Sequence, residues 1–449
     1  MKGMLRKSGI LLAVLLVVSV LVSSLGFSAL AERPVKNVIL LIGDGMGFGQ
    51  LTAARIVKGS KLYMDGFTYA GTASTYPNDP TEKWVTDSAA AGTALATGVK
   101  TYNAAISVDV NKQPVKTILE AAQEAGKATG LVSTTRITHA TPAVFAAHNV
   151  DRDAENEIAA DMLNHDVTVL LGGGKRYFLP SDKGGKRTDG RNLIEEAKSK
   201  GYTFVETKPD MNSVKGGKLL GLFTSSHMSY ELDRYTMSEP SLAEMTGKAL
   251  EILSQDPDGF FMMVEGGRID HASHGHDAAA TIYDTLAFDA AVGVALDFAL
   301  RNPDTLVVVT ADHETGGMSV GGYSEYNFKP EILKKAQGSF EEGIAPKLTL
   351  DNAAQIMSEY AGISDLTQDE LNLLTDAINN KSKNPYAPAN AGAAIVSKRA
   401  LVGWTSGGHT GADVPVFAFG SRAQDFVGHL DNTEICLLMA RALGLSMGK

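Results

Sequence analysis

The sequence predicts an α/β fold: a large, mostly parallel central sheet with helices on both faces, plus an inserted helical subdomain. Three observations carry this expectation. Apolar runs lack polar alternation, helical segments lie between them, and polar motifs stand just beyond several of the runs.

The first run, 37–42, passes directly into Gly43-Asp44-Gly45-Met46-Gly47. Runs 129–133, 167–171, 260–264, 306–310 and 416–419 follow, each bounded by turn residues. A strand covered on both faces needs no polar side, so the missing alternation fits parallel strands lying under helices. Segment 115–125, closed by Gly126, and segment 278–300, followed by Arg301 and Pro303, read as helices. In open α/β sheets ligands gather beyond the carboxyl ends of the strands, which is where Asp44, Glu265 and Asp312 fall.

From 319 to 397 the pattern changes. Segments 328–337, 351–360 and 367–379 read as polar, amphipathic helices and 380–385 as a loop. This stretch is expected to be the inserted, mainly helical subdomain, with 32–318 and 398–449 as the catalytic domain. Segment 181–191 reads as a Gly/Lys-rich surface loop, and no internal repeat is visible.

Residues 1–31 read as an export signal. Lys2, Arg6 and Lys7 give a basic start, 10–22 an apolar run, and Ala29-Leu30-Ala31 a small-x-small cleavage pattern. The mature protein is then expected in the periplasm or outside the cell. No membrane anchor is expected, because that run is short and no later stretch reads as long and apolar enough to span a bilayer. The sole cysteine, Cys436, excludes an intrachain disulfide and sits among apolar neighbours that place it in the core, so the fold must rest on core burial and bound ions. Losing three positive charges with the signal moves the formal net charge from −10 to −13. That argues against nucleic acid or an anionic membrane as a dedicated partner.

Five motifs carry the chemistry. Asp87-Ser88 precedes the alanine-rich run 89–97, which ends before Gly98. On a helix, Ser88 would sit at the N-terminus, where free N–H groups favour an alkoxide and a phosphate; the same pair would also serve simply as a cap, and both roles stay open. Within Glu265 to His274, Asp270 and His274 are four apart, share a helical face and can bind one ion. Asp312-His313 follows the 306–310 run directly, where a polar pair makes poor core filler. His409, flanked by glycines, supplies either a loop ligand or a turn residue, and glycines around Asp44 permit close approach of backbone and carboxylate to a ligand. A serine beside such a cluster becomes a nucleophile when a metal stabilises its alkoxide, and two metals can clamp the oxygens of a phosphoryl group. The motifs therefore point to a metal-dependent phosphotransferase or hydrolase. Two other patterns fail: Gly172-Gly173-Gly174-Lys175-Arg176 lacks phosphate-loop spacing, and the acids of 109–120 have Pro114 where a calcium loop needs glycine.

Taken in order, Asp44, Asp87-Ser88-Ala89-Ala90, His139-Ala140-Thr141-Pro142, Arg152, Val264-Glu265-Gly266, Asp270, His274, Thr310-Ala311-Asp312-His313 and His409-Thr410-Gly411 resemble the alkaline phosphatase family. The resemblance implies a phosphate-monoester hydrolase with Ser88 as the nucleophile that becomes phosphorylated. It implies two Zn²⁺ and one Mg²⁺: Asp270, His274 and His409 on one zinc, Asp312 and His313 on the second, and Asp44 between the second zinc and a magnesium also held by Thr141 and Glu265. Arg152 matches the family's phosphate-binding arginine; by itself it would read as an exposed charge at a helix start. The family also implies a homodimer. His139 and His271 depart from the enteric bacterial pattern, which carries aspartate and lysine there, and are similar to the animal enzymes. Both are expected near the metals, directly or through water, with Zn²⁺ or Co²⁺ able to compete at the third site.

A phosphodiesterase or nucleotide pyrophosphatase could use a similar two-metal centre, but Arg152 and the Glu265/Thr141 site favour a terminal phosphate. A sulfatase would need a Cys/Ser-x-Pro-x-Arg signature, which Ser88 lacks. A non-catalytic zinc or phosphate binder would need the ligands without Ser88.

Overall fold

The computed structural model describes residues 35–79, 81–234 and 238–448; the expected export signal lies outside them. The strands are β1 Asn37–Gly43, β2 Tyr69–Ser74, β3 Ala128–Arg136, β4 Val169–Gly173, β5 Tyr202–Val205, β6 Lys218–Leu222, β7 Phe260–Gly266, β8 Thr305–Thr310, β9 Glu314–Thr315, β10 Ser319–Val320, β11 Val402–Gly403, β12 His409–Thr410, β13 Val414–Gly420 and β14 Gly428–Asp431. Ten of them form one sheet in the order β14-β2-β13-β8-β1-β7-β3-β4-β6-β5. Every pairing in it is parallel except those of β13, which runs antiparallel to both β2 and β8.

The absence of alternation has the expected cause. All residues of β1, β7 and β8 are buried, and consecutive side chains of a strand point to opposite faces. Phe260 of β7 packs on Phe298 of helix Ala278–Arg301, while its neighbour Phe261 packs on Phe145 of helix Ala140–Ala146. Those two helices therefore cover opposite faces of the sheet. Full burial of each large apolar side chain contributes about 1.5 to 3 kcal/mol, so the layers hold without a disulfide. Cys436 lies buried in helix Asn432–Leu443, as expected.

One expectation needs correction. Helix Ala278–Arg301 is long and apolar enough to cross a membrane by length and composition. Its apolar character has another cause: it is a core helix, with Phe288, Ala291, Val292 and Ala295 buried in the main hydrophobic cluster.

The segment between β10 and β11 is helical, and the antiparallel β10–β11 pair brings its two ends together. Its helices include Ala353–Ala361, Gln368–Asn379 and Ala387–Arg399. They share a second apolar cluster, including Phe340, Ile344, Met357, Leu374 and Val396, with Ala54 and Val57 of helix Phe48–Lys58 and with Ile282. The helix expected over 328–337 shrinks to Pro330–Leu333. Proline is tolerated in a first turn, and Gly338 lies just downstream.

Candidate metal centre and active site

The strand ends converge as the α/β rule requires. Asp44 follows β1, Asp312 and His313 follow β8, and Glu265 lies within the last two residues of β7 rather than after it. Gly45 makes the convergence possible: its φ is +74°, and a Cβ there would stand 2.8 Å from Thr315 Oγ1 and 2.9 Å from Asp270 Cα. Its N–H donates to Asp312 Oδ1 at 3.2 Å, and the His313 N–H donates to the same oxygen at 2.9 Å.

His409 reaches this rim because β13 runs backwards, so that its N-terminal end lies at the carboxyl edge of the parallel strands. The β12–β9 pair, His409 with Thr315 and Thr410 with Glu314, fastens it there. Glu314 reinforces the joint by accepting from the Gly317 N–H at 3.0 Å, from Gln50 Nε2 at 2.9 Å, and from Thr410 Oγ1.

Ser88 opens helix Ser88–Thr97, whose residues are all buried. Asp87 is the N-cap, accepting from the Ala90 N–H at 2.9 Å, and Gly98 ends the helix in the left-handed region. Small residues let this helix pack closely: a Cβ on Gly92 would lie 2.9 Å from Val144 Cγ2 in helix Ala140–Ala146. The result sets Ser88 Oγ 3.2 Å from His313 Nε2.

The expected ligands fall into three groups. In the first, Asp270 Oδ2 is 3.3 Å from His274 Nε2, Asp270 Oδ1 is 3.5 Å from His409 Nε2, and the two Nε2 atoms are 3.2 Å apart. His274 Nδ1 faces the Gly407 carbonyl and His409 Nδ1 the Thr86 carbonyl, each at 2.8 Å, so in the neutral form of each ring the proton sits on Nδ1 and Nε2 is the atom turned to Asp270. In the second, His313 Nε2 is 3.3 Å from Asp312 Oδ2 and 3.5 Å from Asp44 Oδ1. In the third, Asp44 Oδ2 accepts from Thr141 Oγ1 at 3.3 Å, and ligand atoms of Asp44, His139 and Glu265 lie within 4.8 Å of one another. Exposure rises from this floor, where Asp44, Thr141 and Glu265 are fully buried, to the His274 side chain at 38%.

Asp44 Oδ1, Asp312 Oδ2, Glu265 Oε1 and His139 Nδ1 are buried with no hydrogen-bond partner. Unpartnered buried carboxylate oxygens are costly, and here they face one another. Burial, then repulsion from Asp312, Asp270 and Glu265, holds Asp44 well above the usual carboxylate range. Burial and Asp270 push Asp312 up to about 8. Asp270 stays well below its ordinary value, because its bond to His274 overcomes burial; against the same opposition His274 rises to about 9. Buried acids crowded together in this way hold protons on Asp44 and Asp312 that bound cations would replace, and the donor set fits two imidazole-containing positions and one rich in oxygen.

Arg152 is not at a helix start. It stands in the turn before helix Glu155–Asn164 and is drawn toward Ser88: Nη1 donates to Asp87 Oδ2 at 3.0 Å, and Nη2 lies 3.1 Å from His139 Nε2. His271 falls in none of the ligand groups among the described residues. Its ring packs 5.5 Å from His139 and 4.4 Å from His227, and its Nδ1 lies 2.9 Å from Arg268 Nη1.

Sequence reading passed over Thr315, which contacts Asp270 Oδ1 and lies 3.2 Å from His313 Nδ1, and Ser133 and Thr135, both bonded to Glu265 Oε2. It also passed over His227. Only Glu314-Thr315 carried a signal, by adjoining Asp312-His313. A cavity of about 690 Å³ opens beside His271 and His274 and extends to Arg176, Phe340, Glu341 and Tyr386.

The fold and these groups define a class, the metal-binding hydrolases of phosphate esters built on an α/β sheet. The sequence profile described as alkaline phosphatase matches residues 35–445. Alkaline phosphatase 3 of Bacillus subtilis (strain 168) is 43% identical over 428 residues, covering 92% of this chain and 90% of that protein. The cold-active alkaline phosphatase of the psychrophile Shewanella sp. is 36% identical with a TM-score of 0.82, covering 91% of this chain and 99% of that one. The Thermus thermophilus alkaline phosphatase is 34% identical with a TM-score of 0.83, covering 93% and 94%. This chain belongs to the alkaline phosphatase family and is a phosphate-monoester hydrolase.

Proposed function

We propose that the chain hydrolyses phosphate monoesters through a phosphoserine on Ser88, at a centre of two Zn²⁺ and one Mg²⁺. The observation that carries this reading is Ser88 Oγ, 3.2 Å from His313 Nε2 and beside buried carboxylate oxygens that lack partners. Asp270, His274 and His409 would hold one zinc and Asp312 and His313 the other. Asp44 would join the second zinc to the magnesium, completed by Glu265 and Thr141. Imidazole nitrogen suits zinc and an oxygen shell suits magnesium, while His139 beside that shell leaves Zn²⁺ or Co²⁺ able to compete. When bound, the cations supply Lewis acidity that stabilises the serine alkoxide and the departing oxygen.

The chain's own residues do the rest. The N-terminus of helix Ser88–Thr97 presents free N–H groups to the developing charge. The Arg152 fork grips two phosphate oxygens. Ser88 Oγ bonds to phosphorus as the ester P–O bond breaks, and water then displaces the serine oxygen to release inorganic phosphate. His271 supports His139 through the ring cluster rather than as a ligand.

Residues 319–397 form, in this reading, an inserted helical subdomain on a catalytic unit of 32–318 and 398–449, with Phe340, Glu341 and Tyr386 walling the space for the leaving group. Export by residues 1–31 to the periplasm or the medium, without a membrane anchor, rests on the sequence pattern there, and a homodimer on the family resemblance. Labelled monoester quenched in acid should leave phosphate on the wild-type protein and none on Ser88→Ala, with turnover lost as well. Wild-type turnover in Ser88→Ala would sink the serine assignment, and comparison of p-nitrophenyl phosphate with its bis ester separates monoesterase from diesterase.

A further inference from the structure

Away from this centre, three donor atoms from three segments converge. Glu120 comes from helix Ile118–Glu124, His148 from just beyond helix Ala140–Ala146, and His165 from the C-terminus of helix Glu155–Asn164. Glu120 Oε1 is 3.1 Å from His148 Nε2 and 3.5 Å from His165 Nδ1, and all three ligand atoms lie within 4.8 Å of one another. Zinc bonds of about 2.0 to 2.1 Å place tetrahedral ligand atoms roughly 3.3 to 3.4 Å apart. The two contacts bracket that edge, as do the 3.3 and 3.5 Å contacts of Asp270 with His274 and His409. At 3.5 Å the His165 contact is too long for a good hydrogen bond.

Each donor is held in position by something else. His148 Nδ1 faces the Ser107 carbonyl at 2.8 Å, which leaves the Nε2 lone pair for the cluster. Glu120 accepts the Thr117 N–H through Oε2 at 2.7 Å and keeps Oε1 for the two imidazoles. The His165 backbone is fixed by its N–H on the Asp161 carbonyl at 2.9 Å and by Gln123 Nε2 on its own carbonyl at 2.6 Å. The three side chains are 17 to 25% exposed, near enough to the surface for an ion to enter.

We infer that Glu120, His148 and His165 form a further divalent-metal site suited to zinc, with water as the fourth ligand. Two imidazoles and a carboxylate are a zinc donor set. Burial keeps His165 below its ordinary range, whereas His148 is raised by Glu120 against burial, so the ion must displace a proton from His148 and binds more tightly as pH rises. His148 lies between Thr141 and Arg152. A cation there would brace the stretch that carries Arg152, already tied by the Ile106–Asn149 bridge and by the Arg152 N–H on the Ala104 carbonyl at 2.9 Å.

The competing account is a plain ion pair between Glu120 and protonated His148. Wild type and His165→Ala, as full chains carrying their catalytic metals, are dialysed against micromolar free zinc at pH 8 and their metal counted by elemental mass spectrometry. The variant should hold one zinc equivalent fewer, with kcat/KM for p-nitrophenyl phosphate within twofold of wild type. Crystals of the wild type should show an anomalous zinc peak between the three donor atoms. Equal zinc in the two proteins, or no peak at that position, overturns the site. If the variant loses activity together with zinc, the wild-type anomalous map decides alone, and that map also separates failure here from failure of the catalytic assignment.

Discussion

Arg152→Ala tests the phosphate-binding role most directly. The side chain is 20% exposed, with one end on Asp87 Oδ2 at 3.0 Å and the other 3.1 Å from His139 Nε2. A hydrogen bond to a charged group contributes about 1.5 to 3 kcal/mol, so two dry bonds to phosphate would reach about 3 to 6 kcal/mol. Water reaches part of this fork, and about 2 to 3 kcal/mol is the expected loss. At 1.36 kcal/mol per decade that is roughly 30- to 160-fold in kcat/KM, with inorganic phosphate weakened as an inhibitor by a similar factor. Arg152→Lys keeps the charge without the fork and should fall between. Folding should be nearly untouched, because Asp87 keeps the N–H groups of Ala90 and Ala104, each at 2.9 Å. The assay is initial rate on p-nitrophenyl phosphate, with phosphate inhibition and a thermal melt on each variant. A folded Arg152→Ala within threefold of wild type in kcat/KM would remove Arg152 from the substrate.

Gly45→Ala should cost about 1 to 3 kcal/mol in stability and lower metal content at the centre, because its methyl would push on Thr315 and Asp270. Unchanged metal content and melting point would show that the three loops are not braced there. Exhaustive chelation should abolish activity, and zinc plus magnesium should restore it; activity persisting in protein shown to be metal-free would defeat the proposed mechanism. Arg399 forks over Glu370 at 2.8 and 2.6 Å and holds that carboxyl down at about 2. A depressed folded pKa stabilises above the ordinary value of 4.5 and loses that contribution as pH falls toward 2, a contribution of about 1 kcal/mol or less after solvent screening. Glu370→Gln should therefore melt lower at neutral pH and show a shallower fall in melting temperature below pH 4.5; parallel curves for the two proteins would refute the pairing.

The central strands were readable because burial on both faces leaves an uninterrupted apolar run. Strands β2, β5, β6 and β14 escaped notice: Tyr69–Ser74 and Gly428–Asp431 carry few large apolar residues, and Tyr202–Val205 has only four positions. Helix Ala387–Arg399 was missed because alanine, glycine and proline dominate its first half and give little periodicity. The expected ligands were legible as motifs beside strands. The ties that orient them were not, since Thr315 on Asp270 and Ser133 on Glu265 are contacts across 45 and 132 residues between ordinary hydroxyls. The family resemblance puts His271 near the metals, directly or through water, without saying which; its orientation is a matter of the turn of helix Arg268–His274, which brings Asp270 and His274 within 3.3 Å and sets His271 Nδ1 2.9 Å from Arg268 Nη1.

The reversed strand β13 has a consequence for synthesis. Because it carries His409 back to the rim on β12, the first ligand group draws one member from far downstream, 365 positions beyond Asp44. A growing or clipped polypeptide that stops short of β12 can assemble most of the sheet and still lack that imidazole. Competence for catalysis should therefore appear late and abruptly during chain delivery, making partial products inert instead of partly active.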